Sequence, residues 1–268
     1  MVGKTSSENM ASELAYSGKL AVLNNDLLVS EQSQALANQL GVPLYYSVDK
    51  KTAEDFFLTW RDGELKLLDK ELLKKGGLSV DIQPRNGEQR SWPAPKEGAL
   101  AQAIGRKTKT VVDATTGWAQ DSLHLFRMGY EVQCIERSPI MLALLGDAFQ
   151  RLEQVDWVQR LKLSAPSLLA GNAIEVLASL EDAPDCIYID PMFPPKRKKS
   201  ALPKKSMLIL RDLLGDDSDS QQLFDVAIAA TGKKVVVKMP DYAEPLGGKP
   251  SEVFGSKLVR YDVYLRGN

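Results

Sequence analysis

An acid, a proline and an aromatic residue follow one apolar run of this sequence, at Asp190, Pro191 and Phe193. The run before them, Cys186–Ile189, has the composition of a buried β-strand. In open α/β sheets, ligands bind at the edge formed by the carboxyl ends of such strands. An acidic side chain and a proline carbonyl there could accept both N–H bonds of a planar amino group, while an aromatic ring stacks on the base that carries it. The pattern therefore indicates a site that positions a nucleobase amine for reaction.

A cluster of basic residues follows this turn. The segment from Asp190 to Arg211 carries seven cations and one acid, whereas the whole chain has a formal net charge of −1. Positive charge concentrated beside a candidate catalytic turn favours contact with RNA phosphates over a merely solvated face. Lys238 ends a later predicted strand at the same edge and is predicted to extend the cluster. The candidate RNA-contacting residues are Lys196, Arg197, Lys198, Lys199, Lys204, Lys205 and Lys238.

Polar residues that end or follow other predicted strands indicate a second ligand. Asp113 ends an apolar run and precedes a turn with Gly117, but the Gly-x-Gly-x-x-Gly pattern of dinucleotide sites is missing. That difference disfavours NAD, whose pyrophosphate needs close backbone approach at several glycines. Asp113 could instead orient loop waters or an ammonium group of the ligand. Glu136 ends the next strand, where an acid can accept both hydroxyl groups of a ribose. Arg137 and Asn172 are predicted to border an adenine ring.

These residues depend on an alternation of strands and helices that begins at Thr110. The alternation predicts an α/β fold with a mostly parallel sheet covered by helices on both faces, and residues 252–265 predict an antiparallel hairpin at its end. Residues 1–97 predict a small N-terminal α+β lobe and linker, and residues 98–268 a second domain. The predicted helices are Ser30–Leu40, Asp121–Met128, Pro139–Gln154, Ala173–Leu180, Lys205–Leu214 and Gln221–Thr231. The predicted strands are Leu20–Leu23, Leu44–Ser47, Phe56–Trp60, Glu64–Leu68, Leu78–Ile82, Thr110–Ala114, Glu131–Glu136, Ser167–Ala170, Asp185–Ile189 and Lys234–Lys238.

Composition argues against several other classes of protein. The two cysteines, Cys134 and Cys186, sit inside apolar runs and are predicted to be buried thiols, not a disulfide. His124 is the only histidine, which weakens any Ser-His-Asp triad or histidine-based metal site, so we expect no metal. We see no apolar stretch long enough to span a membrane. We therefore expect a soluble cytoplasmic protein without a membrane partner.

The order of these features along the chain resembles that of the class I S-adenosylmethionine-dependent methyltransferases. Asp190-Pro191-Met192-Phe193 is similar to the (Asp/Asn/Ser)-Pro-Pro-(Tyr/Phe) motif of amino-methyltransferases, which methylate exocyclic nitrogens of adenine, guanine or an amide. The resemblance implies a Rossmann-like fold with a mostly parallel seven-stranded sheet and a terminal antiparallel hairpin. It also implies S-adenosyl-L-methionine as the methyl donor and S-adenosyl-L-homocysteine as the product.

Residues from about 98 to 265 are similar to one particular family, the bacterial 16S ribosomal RNA guanine-N2 methyltransferases called RsmJ. The matching strings are Val112-Asp113-Ala114-Thr115, Gln120-Asp121, Glu136-Arg137-x-Pro139, Tyr188-x-Asp190-Pro191-Met192-Phe193-Pro194, Lys204-Lys205 and Val235-Val236-Val237-Lys238-x-Pro240-Asp241-Tyr242-Ala243. The resemblance implies N2-methylguanosine as the product, with 16S ribosomal RNA or the small ribosomal subunit as partner. It implies donor contacts from Gln120, Asp121, Glu136, Arg137, Asn172, Ala173 and Asp190, beside the loop with Asp113 and Gly117.

Other interpretations stay open at this point. Asp190 could cap a turn and Phe193 could pack in the core, in which case the motif has no chemical role. Within enzymes, the acceptor could be adenine N6 or a protein glutamine, although the basic cluster argues against a protein substrate. A catalytically idle RNA-binding relative is the remaining alternative, and intact acids at Asp113, Glu136 and Asp190 argue against it.

Overall fold

The computed structural model describes residues 19–49, 51–74, 76–84, 92–191, 219–256 and 259–267. The chain divides into two compact units, Met1–Ser79 and Val80–Asn268. The domain boundary predicted after residue 97 stays a prediction. The predicted helix at 205–214 lies outside the described residues.

The first unit contains a four-stranded sheet within its described residues, in the order β2-β1-β3-β4. Its elements are β1 (Leu20–Leu23), α1 (Ser30–Leu40), β2 (Leu44–Tyr45), β3 (Phe56–Arg61) and β4 (Glu64–Asp69). Asp62 and Gly63 join β3 to β4 with φ angles of 55° and 75°, the positive values that a two-residue hairpin turn needs. The strand predicted at Leu78–Ile82 is reduced to a bridge between Leu78 and Leu67. Gly76 and Gly77, with φ angles of 95° and 82°, turn the chain immediately before it.

Within its described residues, the second unit forms a seven-stranded sheet in the order β10-β11-β9-β8-β5-β6-β7. The strands are β5 (Thr110–Asp113), β6 (Glu131–Glu136), β7 (Ser167–Ala170), β8 (Cys186–Ile189), β9 (Lys234–Pro240), β10 (Glu252–Gly255) and β11 (Val259–Leu265). Neighbouring strands from β9 to β7 are parallel, whereas β11 is antiparallel to both β9 and β10. This arrangement confirms the predicted parallel sheet with a terminal antiparallel hairpin.

Helices connect these strands. They are α2 (Gly98–Ile104), α3 (Gln120–Arg127), α4 (Pro139–Glu153), α5 (Asp156–Arg160), α6 (Ala173–Ala178) and α7 (Ser220–Ala230). The predicted start of α4 is confirmed, because Ser138 Oγ accepts the Met141 N–H at 3.4 Å and Pro139 is the first helical residue. Gly129, with a φ of 82°, lies directly after the C-cap of α3. Neither α2 nor α5 was predicted. None of the helices in the described ranges is long and apolar enough to cross a membrane.

The strand order reverses between β5 and β8. The chain leaves β5 toward β6 and β7 on one side of the sheet, and later returns to add β8 and β9 on the other. In β8 and β9, Ile187 and Val235–Val237 are each 0% exposed. Consecutive buried residues are expected in strands of a sheet that is covered on both faces. A reversal of this kind opens a crevice at the carboxyl ends of the two central strands. Ligand-binding residues are therefore expected directly after β5 and β8.

Gly247 lies against the ring of Phe224, and this contact allows the packing on the sheet to be tested. A Cβ built at Gly247 would lie 2.1 Å from Phe224 Cζ, and that ring packs edge-on against Tyr264 with centroids 4.7 Å apart. Because Phe224 is buried and has little room to move, we expect Gly247→Ala to lower the free energy of unfolding by about 1–3 kcal/mol in urea denaturation. Gly255→Ala is the control, since a Cβ there meets nothing within 4 Å. Equal midpoints for the two variants would contradict this packing.

Candidate active site at the carboxyl edge of the sheet

Asp113 organises the loop that follows β5. Its side chain is 2% exposed; Oδ1 accepts the Thr115 N–H at 3.0 Å, and Oδ2 accepts the Ser122 hydroxyl. Thr116 Oγ1 donates to the Asp113 carbonyl at 3.2 Å. Burial raises the pKa of the Asp113 carboxyl to about 7, against the two hydrogen bonds that favour its charged form. Asp113 therefore shapes the loop after β5, and the predicted orientation of an ammonium group stays a prediction.

The loop reaches α3 through two residues with positive φ. Gly117 has a φ of 49°, and Ala119, the N-cap residue of α3, has a φ of 53°. A left-handed backbone is unusual for alanine and tends to occur at functional sites. In the sequence, Ala119 stands where dinucleotide sites have a second glycine, and the backbone has the conformation that a glycine would adopt. The positive φ of Ala119 was not predicted from the sequence, because the residue type alone does not reveal a strained backbone.

Glu136 lies at the end of β6, beside this loop. It is buried, its Oε1 accepts the Ser138 N–H at 2.7 Å and its Oε2 accepts the Gly117 N–H at 3.3 Å. Burial raises the pKa of the Glu136 carboxyl, and the backbone N–H groups partly oppose that rise. Backbone N–H groups of Ser138, Gly117 and Arg137 act on this carboxylate, which has about four acceptor positions and so keeps some capacity for a ribose hydroxyl. The chemistry of this residue fits a nucleoside.

Asn172 and Ala173 lie next to Glu136 along the sheet edge. Glu136 pairs with Ala170 in the register of β6 and β7, and its carbonyl accepts the Gly171 N–H at 2.9 Å. Asn172 Oδ1 accepts the Ile174 N–H at 2.9 Å and caps α6, which Ala173 begins. The amide oxygen is therefore engaged with the helix, and the predicted contact with adenine falls to the –NH2 group. Arg137 is directed to α7, where its Nη1 lies 3.5 Å from Asp219 Oδ2.

The turn after β8 is bound to the loop after β5. The Asp190 N–H donates to Thr115 Oγ1 at 2.6 Å, and the Ala114 N–H donates to the Tyr188 carbonyl at 3.0 Å. The Asp190 side chain is 38% exposed, whereas Pro191 is buried. The residue predicted to hold an amine therefore lies at the switch point of the sheet, beside the predicted donor loop.

Lys238 occupies a different environment from the predicted phosphate contact. Its Nζ lies 2.8 Å from Asp121 Oδ2 and 2.8 Å from Asp190 Oδ2. Burial alone would lower the pKa of Lys238, but the two carboxylates together raise it above its ordinary value. The two carboxylates therefore neutralise this ammonium locally, and the contact of Lys238 with an RNA phosphate stays a prediction. Asp121, predicted to contact the donor, accepts the Tyr188 hydroxyl at 2.7 Å as well as Lys238, and the donor contact stays a prediction.

The remaining predicted residues divide into two groups. Gln120 is the exposed first residue of α3, at the end of the loop with Gly117. The others lie outside the described residues: Phe193, Lys196, Arg197, Lys198, Lys199, Lys204 and Lys205. In the part of the chain that the structure describes, no group of three or more His, Cys, Asp or Glu residues is arranged to hold a metal ion.

Known proteins resemble this chain over most of its length. A family model described as "Putative SAM-dependent methyltransferase" matches residues 43–266. The chain is 38% identical over 221 residues to "Ribosomal RNA small subunit methyltransferase J" of Shewanella amazonensis, covering 79% of this chain and 87% of that protein. It is 36% identical over 251 residues to the protein of the same name from Aeromonas salmonicida, covering 92% and 97%. A SAM-dependent methyltransferase structure from Neisseria gonorrhoeae has the same fold, with a TM-score of 0.65, 23% identity and coverage of 93% and 97%.

Proposed function

We propose, from the premise that this chain belongs to the ribosomal RNA small subunit methyltransferase J family of SAM-dependent methyltransferases, that it methylates the exocyclic N2 of a guanosine in 16S ribosomal RNA. The product is N2-methylguanosine. The substrate is the RNA itself or the small ribosomal subunit, and we place the activity in the cytoplasm, where that RNA is found. The choice of guanine N2 rests on the sequence resemblance, and the Asp190-Pro191-Met192-Phe193 motif supports an amine as the acceptor.

One observation carries the proposal. The Asp190 N–H is bonded to Thr115 in the loop after β5, so the amine-holding turn and the donor loop meet at one point of the sheet. Thr115 is bonded in turn to Asp113, whose carboxylate shapes the loop. A methyltransferase must bring its two substrates together at one place. The junction between these two segments supports such a meeting point.

The donor end is assigned to residues whose chemistry fits a nucleoside. S-adenosyl-L-methionine supplies an electrophilic methyl group on a sulfonium. Glu136 would accept the ribose hydroxyls, since its carboxylate keeps acceptor capacity beyond the backbone donors that it already has. The loop with Gly117 and the cap residue Asn172 would border the same nucleoside. The resemblance extends the donor contacts to Gln120, Asp121, Arg137, Ala173 and Asp190, and Asp113 at the end of β5 would orient the ammonium group of the donor.

The acceptor end holds a weak nucleophile in place. An aryl amine reacts poorly because its lone pair is delocalised into the ring. The Asp190 carboxylate and the Pro191 carbonyl would accept its two N–H bonds, which fixes the direction of the lone pair and favours a pyramidal nitrogen. Phe193 would stack on the base. The basic residues of the 196–205 segment would bind the surrounding phosphates, and this would give the affinity a strong salt dependence.

The direct test is methyl transfer from tritiated donor to 16S ribosomal RNA, either naked or in small subunits that lack the modification. We expect the label in N2-methylguanosine when nucleosides are separated by mass spectrometry. Label in N6-methyladenosine, or in a glutamine of a ribosomal protein, would replace the proposed acceptor. RNA binding with no transfer to any of these substrates would favour the idle relative.

Glu136→Gln tests the donor site separately. The amide keeps the shape of the side chain but removes the negative charge that strengthens hydrogen bonds from hydroxyl groups. Hydrogen bonds to charged groups contribute about 1.5–3 kcal/mol, so we expect the calorimetric dissociation constant of the donor to rise about 10-fold or more. Glu131→Gln is the matched control, because Glu131 is exposed at the start of the same strand. Unchanged donor binding in the Glu136 variant would remove it from the ribose site.

A further inference from the structure

Lys238 occupies a position in the sheet that usually suits an apolar residue. It lies in β9, between two residues that are 0% exposed, Val237 and Met239. The pairing of β9 with β8 ends at Val237, and Lys238 itself pairs with Tyr261 on β11. A charged group in such a place is tolerated when it is paired. The ammonium of Lys238 is paired with two acids, Asp121 and Asp190, so the question is what this pairing achieves.

The ammonium of Lys238 joins three elements. Its two carboxylate partners come from different places: Asp121 is the second residue of α3, and Asp190 follows β8 directly. The Tyr188 hydroxyl donates to the same Asp121 oxygen that receives Lys238, at 2.7 Å. Asp121 is therefore held from two sides and offers Lys238 a fixed partner.

The two acids belong to opposite halves of the proposed reaction. Asp121 begins the helix that the donor loop leads into, and Asp190 is the residue proposed to hold the amine. We propose that Lys238 is a positioning residue that fixes the Asp190 carboxylate relative to the donor loop, an inference that rests on the proposed function. Small misplacements of a reacting group reduce rates strongly, by about 100-fold for 1 Å. An ion pair that sets the direction of the Asp190 carboxylate therefore affects how accurately the reacting amine is placed.

Lys238 also separates two like charges. Each acid has an oxygen 2.8 Å from the same nitrogen, so the two oxygens are at most about twice that distance apart, close enough for mutual repulsion. Asp113 after β5 adds a third acid that interacts with both. The other described titratable groups near Lys238 are Tyr188 on β8 and Tyr261, its partner on β11. Without Lys238, an unbalanced group of acids would surround Asp190.

Two other roles for Lys238 make different predictions. A phosphate contact would affect RNA affinity and its salt dependence, and would leave the turnover number unchanged. A purely structural ion pair would affect the unfolding temperature, and would leave both the turnover number and the pH profile unchanged at temperatures well below unfolding. The positioning role predicts a change in the turnover number and in the acid limb of the pH profile, with little change in the KM for RNA.

The test uses the full chain with three substitutions. Lys238→Met keeps the length of the side chain and removes its charge, and Lys238→Arg keeps the charge. Lys107→Met removes an exposed positive charge from the loop before β5, at the opposite end of the strand from the site. For each variant we would measure kcat, the KM for RNA at several salt concentrations, the pH profile and the unfolding temperature. Carbon-13 NMR would follow the Asp190 carboxyl in the donor-free protein, which does not depend on the identity of the acceptor.

We expect Lys238→Met to lower kcat by about 100-fold with the KM for RNA changed less than about twofold. The acid limb and the Asp190 carboxyl titration should move to higher pH by about one unit or more. Lys238→Arg should recover at least part of kcat, and Lys107→Met should match the wild type. A raised KM with a flatter salt dependence and normal kcat would overturn the inference in favour of the phosphate contact, and an unmoved Asp190 titration would overturn it as well. A wild-type protein that makes no N2-methylguanosine would instead overturn the proposed function, while the titration still decides the role of Lys238.

Discussion

Replacing Asp190 with alanine is expected to lower the rate of methyl transfer by about 100- to 1,000-fold, the range seen when one positioned polar group is removed from an active site. The variant loses the acceptor for an amine N–H bond and releases Lys238 toward Asp121. Donor affinity should fall by a smaller factor, because Glu136 and its loop remain in place. Since Asp190 is partly exposed and Lys238 keeps its Asp121 partner, the fold should survive, which a thermal melt checks.

A second substitution at Asp190 separates its two contributions. Asn in this position keeps an oxygen that can accept an N–H bond but loses the charge that pairs with Lys238. If the hydrogen bond to the amine dominates, the turnover number of Asp190→Asn should stay close to that of the wild type. If the ion pair with Lys238 sets the geometry of Asp190, the turnover number of Asp190→Asn should fall nearly as far as that of Asp190→Ala. Asp182→Ala, in the exposed loop before β8, is the control. Full activity of Asp190→Ala in single-turnover assays would remove it from the reaction.

The local elements were predictable because their signals are local. Ser138-Pro139 and Asp62-Gly63 specify a helix start and a hairpin turn through the conformations of a few consecutive residues, and the structure has both. Alternating strands and helices likewise predicted the parallel sheet. The start of α2 gave no such signal: its N-cap residue, Glu97, makes no side-chain cap hydrogen bond, and Gly98, its first residue, has a φ of 85°. Helix starts without cap chemistry cannot be distinguished from a loop by their residues.

The candidate site was predictable in outline, because strand-end acids must meet at one edge of a parallel sheet. Its ion pairs were not. Lys238 pairs with acids 48 and 117 positions away in the sequence, and no periodicity or motif specifies which of several nearby charges it will reach. In the sequence, the basic segment from Asp190 to Arg211 favoured a phosphate contact for Lys238, and that contact stays a prediction. The limit has a physical basis: sequence reveals where charge accumulates, but only the fold decides which charges are neutralised internally.

The second large effect is expected at Arg260, which supports the loop after β9. Its guanidinium donates to both carboxylate oxygens of Asp262, at 2.8 and 3.1 Å. The same group donates to the carbonyls of Pro240, Asp241 and Ala243 at distances from 2.7 to 3.1 Å. These contacts use the five N–H donors of an arginine. Arg260 and Asp262 lie two positions apart on β11, so they share one face of the strand.

Arg260→Ala is therefore expected to lower the free energy of unfolding by about 3–5 kcal/mol, the range for removing one partner of a buried ion pair. Asp262 is 0% exposed, so its carboxylate would be left in the interior without this partner, and three carbonyls would lose their donor. Combining Arg260→Met with Asp262→Asn should recover part of that loss, because the buried charge disappears while the carbonyls stay unpaired. Arg266→Ala is the control: Arg266 is exposed just after the same strand and donates to the Thr231 carbonyl. Equal stability of the Arg260→Ala and Arg266→Ala variants in urea denaturation would contradict this prediction. It would mean that Arg260 contributes no more to stability than a surface residue, and that other contacts hold the loop beside Lys238 in place.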